Sequence, residues 1–283
     1  MGTMCMVRAP HLHTALVRTL AGLRRTDGGV PVSAQGVSEV EPTAVAALAL
    51  DDAPARAWLA ARLRADGGFE EEDGRHDGPT SSALGALALA DRRDARRALA
   101  YAISHRSLPL PNAPHPDRRT AWGWTADARS LTEPTARVLL AVNALTPDDA
   151  ATRREAVGLL RARQCADGGW NFGNASVYDV DLRGYAQTTA MGLIALQQGH
   201  ARIVSRAFGF LGANWRLEPG GLTVAQALVA YRLHGRRDGV PELLGALESI
   251  SRRPSFRERP LAVAGAALAT GTDARLDPLR SRA

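Results

Sequence analysis

Six segments of the chain are dominated by apolar and small residues and contain few polar ones. A helix without a wide polar face is buried on most of its sides, so each segment predicts a buried inner helix. Small residues also let neighbouring helices approach closely. The segments are 41–50, 80–89, 133–142, 187–196, 221–230 and a weaker copy at 261–269.

A more charged helix is predicted before each apolar segment. In the second of these, Trp58, Leu59 and Leu63 form an apolar stripe with arginines elsewhere. This pattern is typical of a surface helix that packs on a core. These outer helices are predicted to begin near His13, Ala53, Arg92, Asp148, His200 and Val240.

Three copies of an Asp-Gly-Gly turn, at 27–29, 66–68 and 167–169, separate an outer helix from the next inner helix. Glycine just past a helix adopts a left-handed backbone without steric cost, so it ends the outer helix. An apolar residue follows each turn, and we expect these residues to pack between neighbouring repeats. They are Val30, Phe69 and Trp170, with Trp124, Trp215 and Phe256 at the matching position of the other copies.

Repetition over the whole chain predicts an all-α fold, an (α/α)6 toroid of six helical hairpins with inner and outer rings. An open solenoid would need polar capping repeats, and none is apparent, so the sequence favours a closed ring. We expect a single domain over 1–283, with a ragged N-terminal segment at 1–10 and a loop or lid at 105–120.

Arginine supplies all 35 basic residues, against 29 acidic ones, which gives a net charge of +6. The absence of lysine excludes Schiff-base chemistry and a phosphate-loop lysine. Charges of both signs are interspersed, which argues against a nucleic-acid partner.

The two cysteines lack metal or disulfide spacing, which favours a reduced cytoplasmic setting. No segment predicts a transmembrane helix, and peripheral membrane contact stays open.

The segment 164–170, Gln-Cys-Ala-Asp-Gly-Gly-Trp, resembles the glutamine–tryptophan repeat motif of squalene–hopene and oxidosqualene cyclases. Upstream it departs from that motif, because Leu159 stands where the family prefers an aromatic residue. With Gly123-Trp124 and Glu-Pro-Thr at 133–135, the chain looks like bacterial single-domain proteins of the prenyltransferase/squalene oxidase repeat family. That superfamily includes cyclases, protein prenyltransferase β subunits and proteins of unassigned role, so the resemblance leaves function open.

The resemblance also implies candidate acids. Family cyclases protonate their substrate with D-x-D-D-T at the start of an inner helix, and Glu39-Val40-Glu41-Pro42-Thr43 stands at the matching place. Glu41 would be the proton donor and Glu39 its anchor. Alternatively, a glutamate in the first turn simply stabilises the positive end of a helix. Glu133 repeats the pattern and would bring a second carboxylate to the same end of the ring.

Aromatic residues cluster around the turns and the inner-helix starts. In family cyclases aromatic faces stabilise carbocations, and packing between repeats is the alternative. Asp179 and Asp181 precede the fourth inner helix and would hold Mg²⁺ with a diphosphate if one binds, or else lie in a solvated loop. No other cofactor is expected, and the zinc ligands of prenyltransferases have no cysteine counterpart here. The candidate substrate-binding residues are Trp122, Trp124, Trp170, Phe172, Tyr178, Asp179, Asp181, Tyr185 and Gln187.

Three functions remain open at this point. The first is an isoprenoid-handling enzyme, cyclase-like or prenyltransferase-like, that acts in the central cavity with Glu41 as acid. The second is a non-catalytic toroid that binds a lipid or a protein partner subunit. The third is a carbohydrate-active toroid, which needs two carboxylates about 5–9.5 Å apart, with Glu41 and Glu133 as the pair.

Overall fold

The structure, a computed structural model, describes residues 9–70, 78–107, 120–125 and 128–282. Most of the predicted N-terminal segment at 1–10 and of the predicted loop or lid at 105–120 lies outside the described residues. Among the described residues, the helices begin where the apolar pattern predicts them. Their bounds are α1 (Pro10–Leu23), α2 (Val40–Leu50), α3 (Ala53–Arg62), α4 (Pro79–Ala88), α5 (Arg92–Ser104), α6 (Thr132–Leu145), α7 (Ala150–Arg163), α8 (Ala186–Ala195), α9 (Ala201–Asn214), α10 (Gly221–Leu233), α11 (Val240–Ser251), α12 (Pro254–Arg257), α13 (Pro260–Thr270) and α14 (Asp273–Leu276).

Helices α2, α4, α6, α8, α10 and α13 form the inner ring, and nearly all of their residues are buried. Each inner helix packs against the next, and α13 closes the ring by packing on both α10 and α2. The predicted (α/α)6 toroid is therefore confirmed. Single-turn helix α12 and a short strand pair, β1 (Ser176–Val177) with β2 (Val180–Asp181), lie in the connections.

The pairing of the two rings follows the short connections between helices. Each outer helix packs mainly on the inner helix that precedes it, because a short connection joins them: α3 on α2, α5 on α4, α7 on α6, α9 on α8 and α11 on α10. The inner helix α13 takes its outer partner from the other end of the chain, namely α1. His13 Nδ1 lies 3.2 Å from Thr270 Oγ1 at this contact. The first and last repeats therefore interlock, which holds the ring closed.

The inner helices run parallel, so the toroid has two unlike ends. The end where they begin, with the long outer-to-inner connections, is called the mouth, and the end where they finish is called the base. The C-terminal segment crosses the base: Gln197 Nε2 donates to the Leu279 carbonyl at 2.6 Å, and the Arg282 amide donates to the Asn143 carbonyl at 3.0 Å. Leu279 also lines the central cavity, so this segment closes the cavity at the base.

Glycines in the three turns hold neighbouring repeats together. Gly28, Gly67 and Gly168 have φ angles of +94°, +95° and +94°, which favour glycine. A Cβ atom at these positions would lie 2.9, 2.3 and 2.8 Å from a carbonyl oxygen of the next outer helix, in α3, α5 and α9 respectively. The turn therefore both reverses the chain and abuts the following repeat.

A threonine in the inner helix fixes the residue that follows the turn, and it corrects one sequence alignment. Thr189 Oγ1 accepts from the Trp170 amide at 2.9 Å, and Thr135 Oγ1 accepts from the Trp122 amide at 3.3 Å. Trp122, not Trp124, thus occupies the position of Trp170. The expected alignment of Trp124 with Trp170 was wrong, because the loops between tryptophan and threonine differ in length.

Candidate functional site

The inner helices enclose a central cavity of about 70 Å³. Its wall is almost wholly apolar and includes Leu48, Leu140, Ile194 and Leu268, with polar side chains contributed by Glu41, Arg137 and Gln226. Typical ligand pockets measure about 300–1,000 Å³, so this cavity alone holds only a small chemical group.

A charged triad lies where the cavity meets the mouth. Arg137 Nη2 donates to Glu133 Oε1 at 2.6 Å, one turn earlier in α6, and to Glu41 Oε1 of α2 at 2.5 Å. The Arg137 side chain is 4% exposed, that of Glu133 8%, and that of Glu41 26%. The guanidinium also lies over the Trp124 ring, 5.7 Å from its centroid. The triad thus links two inner helices that are not neighbours in the ring.

Electrostatics keep Arg137 charged. Burial opposes its charge, but the carboxylates of Glu41 and Glu133 outweigh burial and raise the pKa of the guanidinium above its usual value. Two carboxylates and one guanidinium leave the triad with a net negative charge, and both glutamates lie in the first turns of their helices. The positive ends of α2 and α6 stabilise that charge.

Two buried polar side chains in the cavity wall retain unused hydrogen-bonding capacity. Nε and Nη1 of Arg137 have no hydrogen-bond partner among the described residues, and neither has Oε1 of Gln226 on α10. Both side chains line the central cavity. Buried polar groups are usually satisfied, so unused donors and an unused acceptor on the wall of one small cavity favour a polar ligand group or water inside it.

A larger groove opens at the mouth beside the triad. It measures about 720 Å³ and runs between the loop after α1 and the starts of α8, α10 and α13. Leu222 and Leu261 line both this mouth groove and the central cavity, so the two spaces are adjacent. Val32, Ile250 and Phe256 give the groove apolar surface, and the charged residues Arg253, Glu258 and Arg259 also line it. Groove and cavity together have the size of an ordinary ligand site.

The predicted acids occupy different places. Glu41 lines the central cavity, and Glu133 contacts Arg137 behind it. Glu39 precedes the first turn of α2, where its amide donates to the Val30 carbonyl at 3.0 Å. Of the expected acids, Glu41 is therefore the one with access to the cavity.

Two of the predicted substrate-binding tryptophans are packing residues. Trp122 and Trp170 have no exposed surface, and their ring N–H groups donate to carbonyls of Ile103 and Leu160 in outer helices. The Trp170 ring lies against Gly192 of α8, where a Cβ would approach within 2.9 Å. They lie between the rings of the toroid, where their side chains are buried against outer helices. Trp124 is 43% exposed at the mouth, so substrate contact by Trp124 stays a prediction.

The remaining candidates lie on the mouth surface. Phe172 and Tyr185 pair with centroids 5.3 Å apart, and Gln187 lines the mouth groove. Tyr178 and Asp179 form the tip of the β1–β2 hairpin with φ angles of +50° and +62°. Together with Asp181 they are exposed and lie outside the cavity lining. Within the described ranges no cluster of three or more metal-ligating side chains occurs, so the Mg²⁺–diphosphate expectation stays a prediction.

Arg137 and Gln226 are the site residues that sequence reasoning did not single out. A signal for Arg137 is present, because it is the one charged residue in the apolar run 134–142 and follows Glu133 by four positions. That spacing places the two side chains on one helix face. The residues the structure describes include no helix with the length and apolar character of a membrane span.

Comparison with known proteins gives matches by structure alone. No family model and no curated protein sequence matches the chain. The type II terpene cyclase MstE from Scytonema, solved with geranylgeranyl dihydroxybenzoate, is similar with a TM-score of 0.61 at 16% identity, covering 95% of this chain and 97% of that one. The chain has the fold of the type II terpene cyclases.

Two further structures set limits on what this likeness means. The ent-copalyl diphosphate synthase from Streptomyces platensis matches with a TM-score of 0.54 at 19% identity, covering 84% of this chain but only 50% of that one. Rex8A from Paenibacillus barcinonensis, solved with an arabinofuranosyl-xylotetraose, gives 0.58 at 12% identity over 98% and 94% of the two chains. The same toroid therefore carries different chemistries, and function must be argued from the site.

Proposed function

We propose that this protein binds an isoprenoid-like chain that carries one hydroxyl or carbonyl oxygen. The oxygen-bearing end would enter the central cavity, and the chain would lie along the mouth groove. The observation that carries this proposal is the pair of unused polar groups in an apolar cavity, on Arg137 and Gln226. A hydroxyl accepts from the guanidinium and donates to the amide oxygen, which satisfies both.

The volumes support this orientation. The cavity of about 70 Å³ is too small for a polyprenyl chain, while the mouth groove of about 720 Å³ accommodates one. Val32, Ile250 and Phe256 in the groove wall favour contact with a hydrocarbon chain because its burial there removes apolar area from water. MstE, which has a similar fold, was solved with a geranylgeranyl compound, and this supports an isoprenoid as the ligand class.

Titration with geranylgeraniol tests the proposal. Binding should change the fluorescence of Trp124, which lies at the mouth over Arg137, and the Kd should be in the micromolar range. Replacing Gly265 with leucine should abolish binding, because Gly265 lines the cavity and its Cβ would already lie 3.3 Å from Leu222. The matched control is Gly209→Leu in α9, where a Cβ meets nothing within 4 Å.

Two outcomes would contradict the proposal. One is equal affinity for geranylgeraniol and for a saturated hydrocarbon of the same length, which would show that the oxygen is not recognised. The other is unchanged binding in Gly265→Leu while the control also binds, which would place the ligand outside the cavity.

Catalysis by Glu41 is the second candidate, favoured by its position in the cavity wall. Protonation of a bound alkene would require Glu41 to hold a proton while it contacts Arg137 at 2.5 Å. That would remove one of the two charges that stabilise the buried guanidinium, so binding without turnover is the first choice. Chromatography of the same geranylgeraniol after incubation distinguishes the two: a cyclised isomer that disappears in Glu41→Gln would establish catalysis.

The carbohydrate alternative has less support. Glu41 and Glu133 accept from the same nitrogen of Arg137, so their oxygens lie within about 5 Å of each other. This separation is near that of retaining glycosidases, but the guanidinium fills the space where a sugar carbon would have to lie. The surrounding wall is apolar, whereas a sugar requires many hydrogen-bonding groups.

A lipid surface is the partner that we propose for the mouth. Among the described residues, every exposed large hydrophobic side chain belongs to an outer-to-inner connection at this end. We call this set the apolar rim: Val32, Val37, Trp124, Phe172, Tyr178, Val180, Leu182 and Leu217. Exposed apolar patches mark interaction sites, and aromatic residues favour the membrane–water interface. Contact there would let an isoprenoid pass from bilayer to groove.

Co-sedimentation with phosphatidylcholine vesicles measures this contact. We expect the protein to sediment with the vesicles, and a variant with Phe172→Ser, Tyr178→Ser and Val180→Ser to remain in the supernatant. Arg252→Ser, at an exposed residue directly after α11, serves as a control and should sediment like the parent protein. Equal sedimentation of the triple variant would exclude the apolar rim as the contact surface.

A further inference from the structure

A second large groove lies at the opposite end of the toroid from the mouth. It measures about 700 Å³ and is bounded by one face of α7 and by the ends of α6 and α8. Leu139, Val157 and Leu196 form an apolar floor. We call this space the base groove. It shares no lining residue with the central cavity, so it is a separate site.

Positive charge surrounds the base groove. Arg153, Arg154 and Arg161 line it, and the guanidinium groups of these three residues form no ion pair and no hydrogen bond with any described residue. No acidic residue is among the described residues that line it. His200 lies on the same wall, and burial, followed by the charge of Arg161, lowers its pKa. Three unpaired arginines beside an apolar floor complement an anion with an apolar chain.

The arginines occupy one side of α7. Positions 153, 157 and 161 follow one another at intervals of four residues, so their side chains line one helix face about 12 Å long. Gly158 lies on the same face, half-buried, and a Cβ there would meet nothing within 4 Å. Packing therefore does not require glycine at this position, although glycine is unfavourable within a helix. Its effect is to keep the middle of the base groove open.

We propose that the base groove binds a phosphate-bearing amphiphile. The alkyl part would lie on Leu139, Val157 and Leu196, and the phosphate would accept hydrogen bonds from the arginines. Arginine suits this task because its planar guanidinium donates two parallel hydrogen bonds to phosphate oxygens. The groove volume is that of a small-molecule site, which favours an amphiphile over a segment of an acidic protein.

Isothermal titration calorimetry with dodecyl phosphate, below its micellar concentration, tests this site. The parent protein should bind it, and dodecanol should bind about tenfold more weakly or worse, because the charge-assisted hydrogen bonds are missing. Arg154→Gln with Arg161→Gln should weaken dodecyl phosphate binding by a similar factor. Gly158→Leu should block binding by filling the groove, whereas Gly209→Leu on the outer face of α9 should not.

A variant of the central cavity, Gly265→Leu, keeps this test independent of the isoprenoid proposal. Gly265→Leu fills the central cavity and should leave dodecyl phosphate binding at the base groove unchanged. Loss of binding in Gly265→Leu, or unchanged binding in both Gly158→Leu and the double arginine variant, would overturn the proposal. Binding of hexaglutamate in place of dodecyl phosphate would overturn it in favour of an acidic protein partner.

Discussion

Replacing Arg137 with methionine should lower the free energy of unfolding by about 3–5 kcal/mol, the range for breaking a buried ion pair from one side. The substitution preserves much of the side-chain volume but leaves Glu41 and Glu133 facing each other without a cation. Glu133 is 8% exposed, so water offers it little compensation. Urea denaturation monitored by circular dichroism gives the measurement.

The pH dependence of the stability of Arg137→Met tests independently whether unpaired carboxylates cause the loss. In Arg137→Met, the folded state places two carboxylates close together and binds a proton more readily than the unfolded chain does. Lowering the pH from about 7 towards 5 should therefore recover part of the lost stability. The parent protein, whose Arg137 balances both carboxylates, should show no such recovery.

Two further variants separate charge from packing. The triple variant Glu41→Gln, Arg137→Met and Glu133→Gln removes every charge of the triad and should regain most of the stability lost by the single variant. Arg252→Met breaks the exposed pair with Glu248 and should cost no more than about 0.5 kcal/mol. If the triple variant is no more stable than Arg137→Met, the loss arises from packing on Trp124 rather than from unpaired charge.

The inner ring was predictable because its helices are buried on every side. Such helices lack a polar face, and that property is visible in each apolar segment without any knowledge of neighbours. The partner of each outer helix was not predictable in the same way. An apolar stripe shows that a helix packs on a core, but not whether the preceding or the following helix supplies it. The contact of α1 with α13 joins opposite ends of the chain.

The candidate site was predictable only in part, for a related reason. Glu41 and Glu133 stand out because they occupy equivalent helix starts in two repeats. Their shared partner Arg137 lies 96 positions after Glu41, and the contact depends on the diameter of the ring. The cavity volume likewise depends on how side chains from all inner helices fill the centre. No single repeat contains that information.

Replacing Gly67 with alanine should destabilise the protein by about 3 kcal/mol, from a strained backbone and a clash acting together. Gly67 has a φ angle of +95°, where an L-residue is strained. Its Cβ would also lie 2.3 Å from the carbonyl oxygen of Arg97, which belongs to the backbone of α5 and cannot rotate away. Thermal and urea denaturation of the variant give the value.

Gly199 separates the two contributions to that loss. Its φ angle is +76°, but a Cβ there would meet nothing within 4 Å, so Gly199→Ala imposes strain without a clash and should cost about 1 kcal/mol. The difference between the variants then measures how tightly the turn abuts the next repeat. Equal losses of stability in the two variants would mean that α5 shifts easily to relieve the clash. The Asp-Gly-Gly turns would then reverse the chain without fixing the position of the next repeat. Ring closure requires a fixed angle between successive repeats. A much larger loss of stability in Gly67→Ala than in Gly199→Ala would show that the Asp-Gly-Gly turns fix this angle.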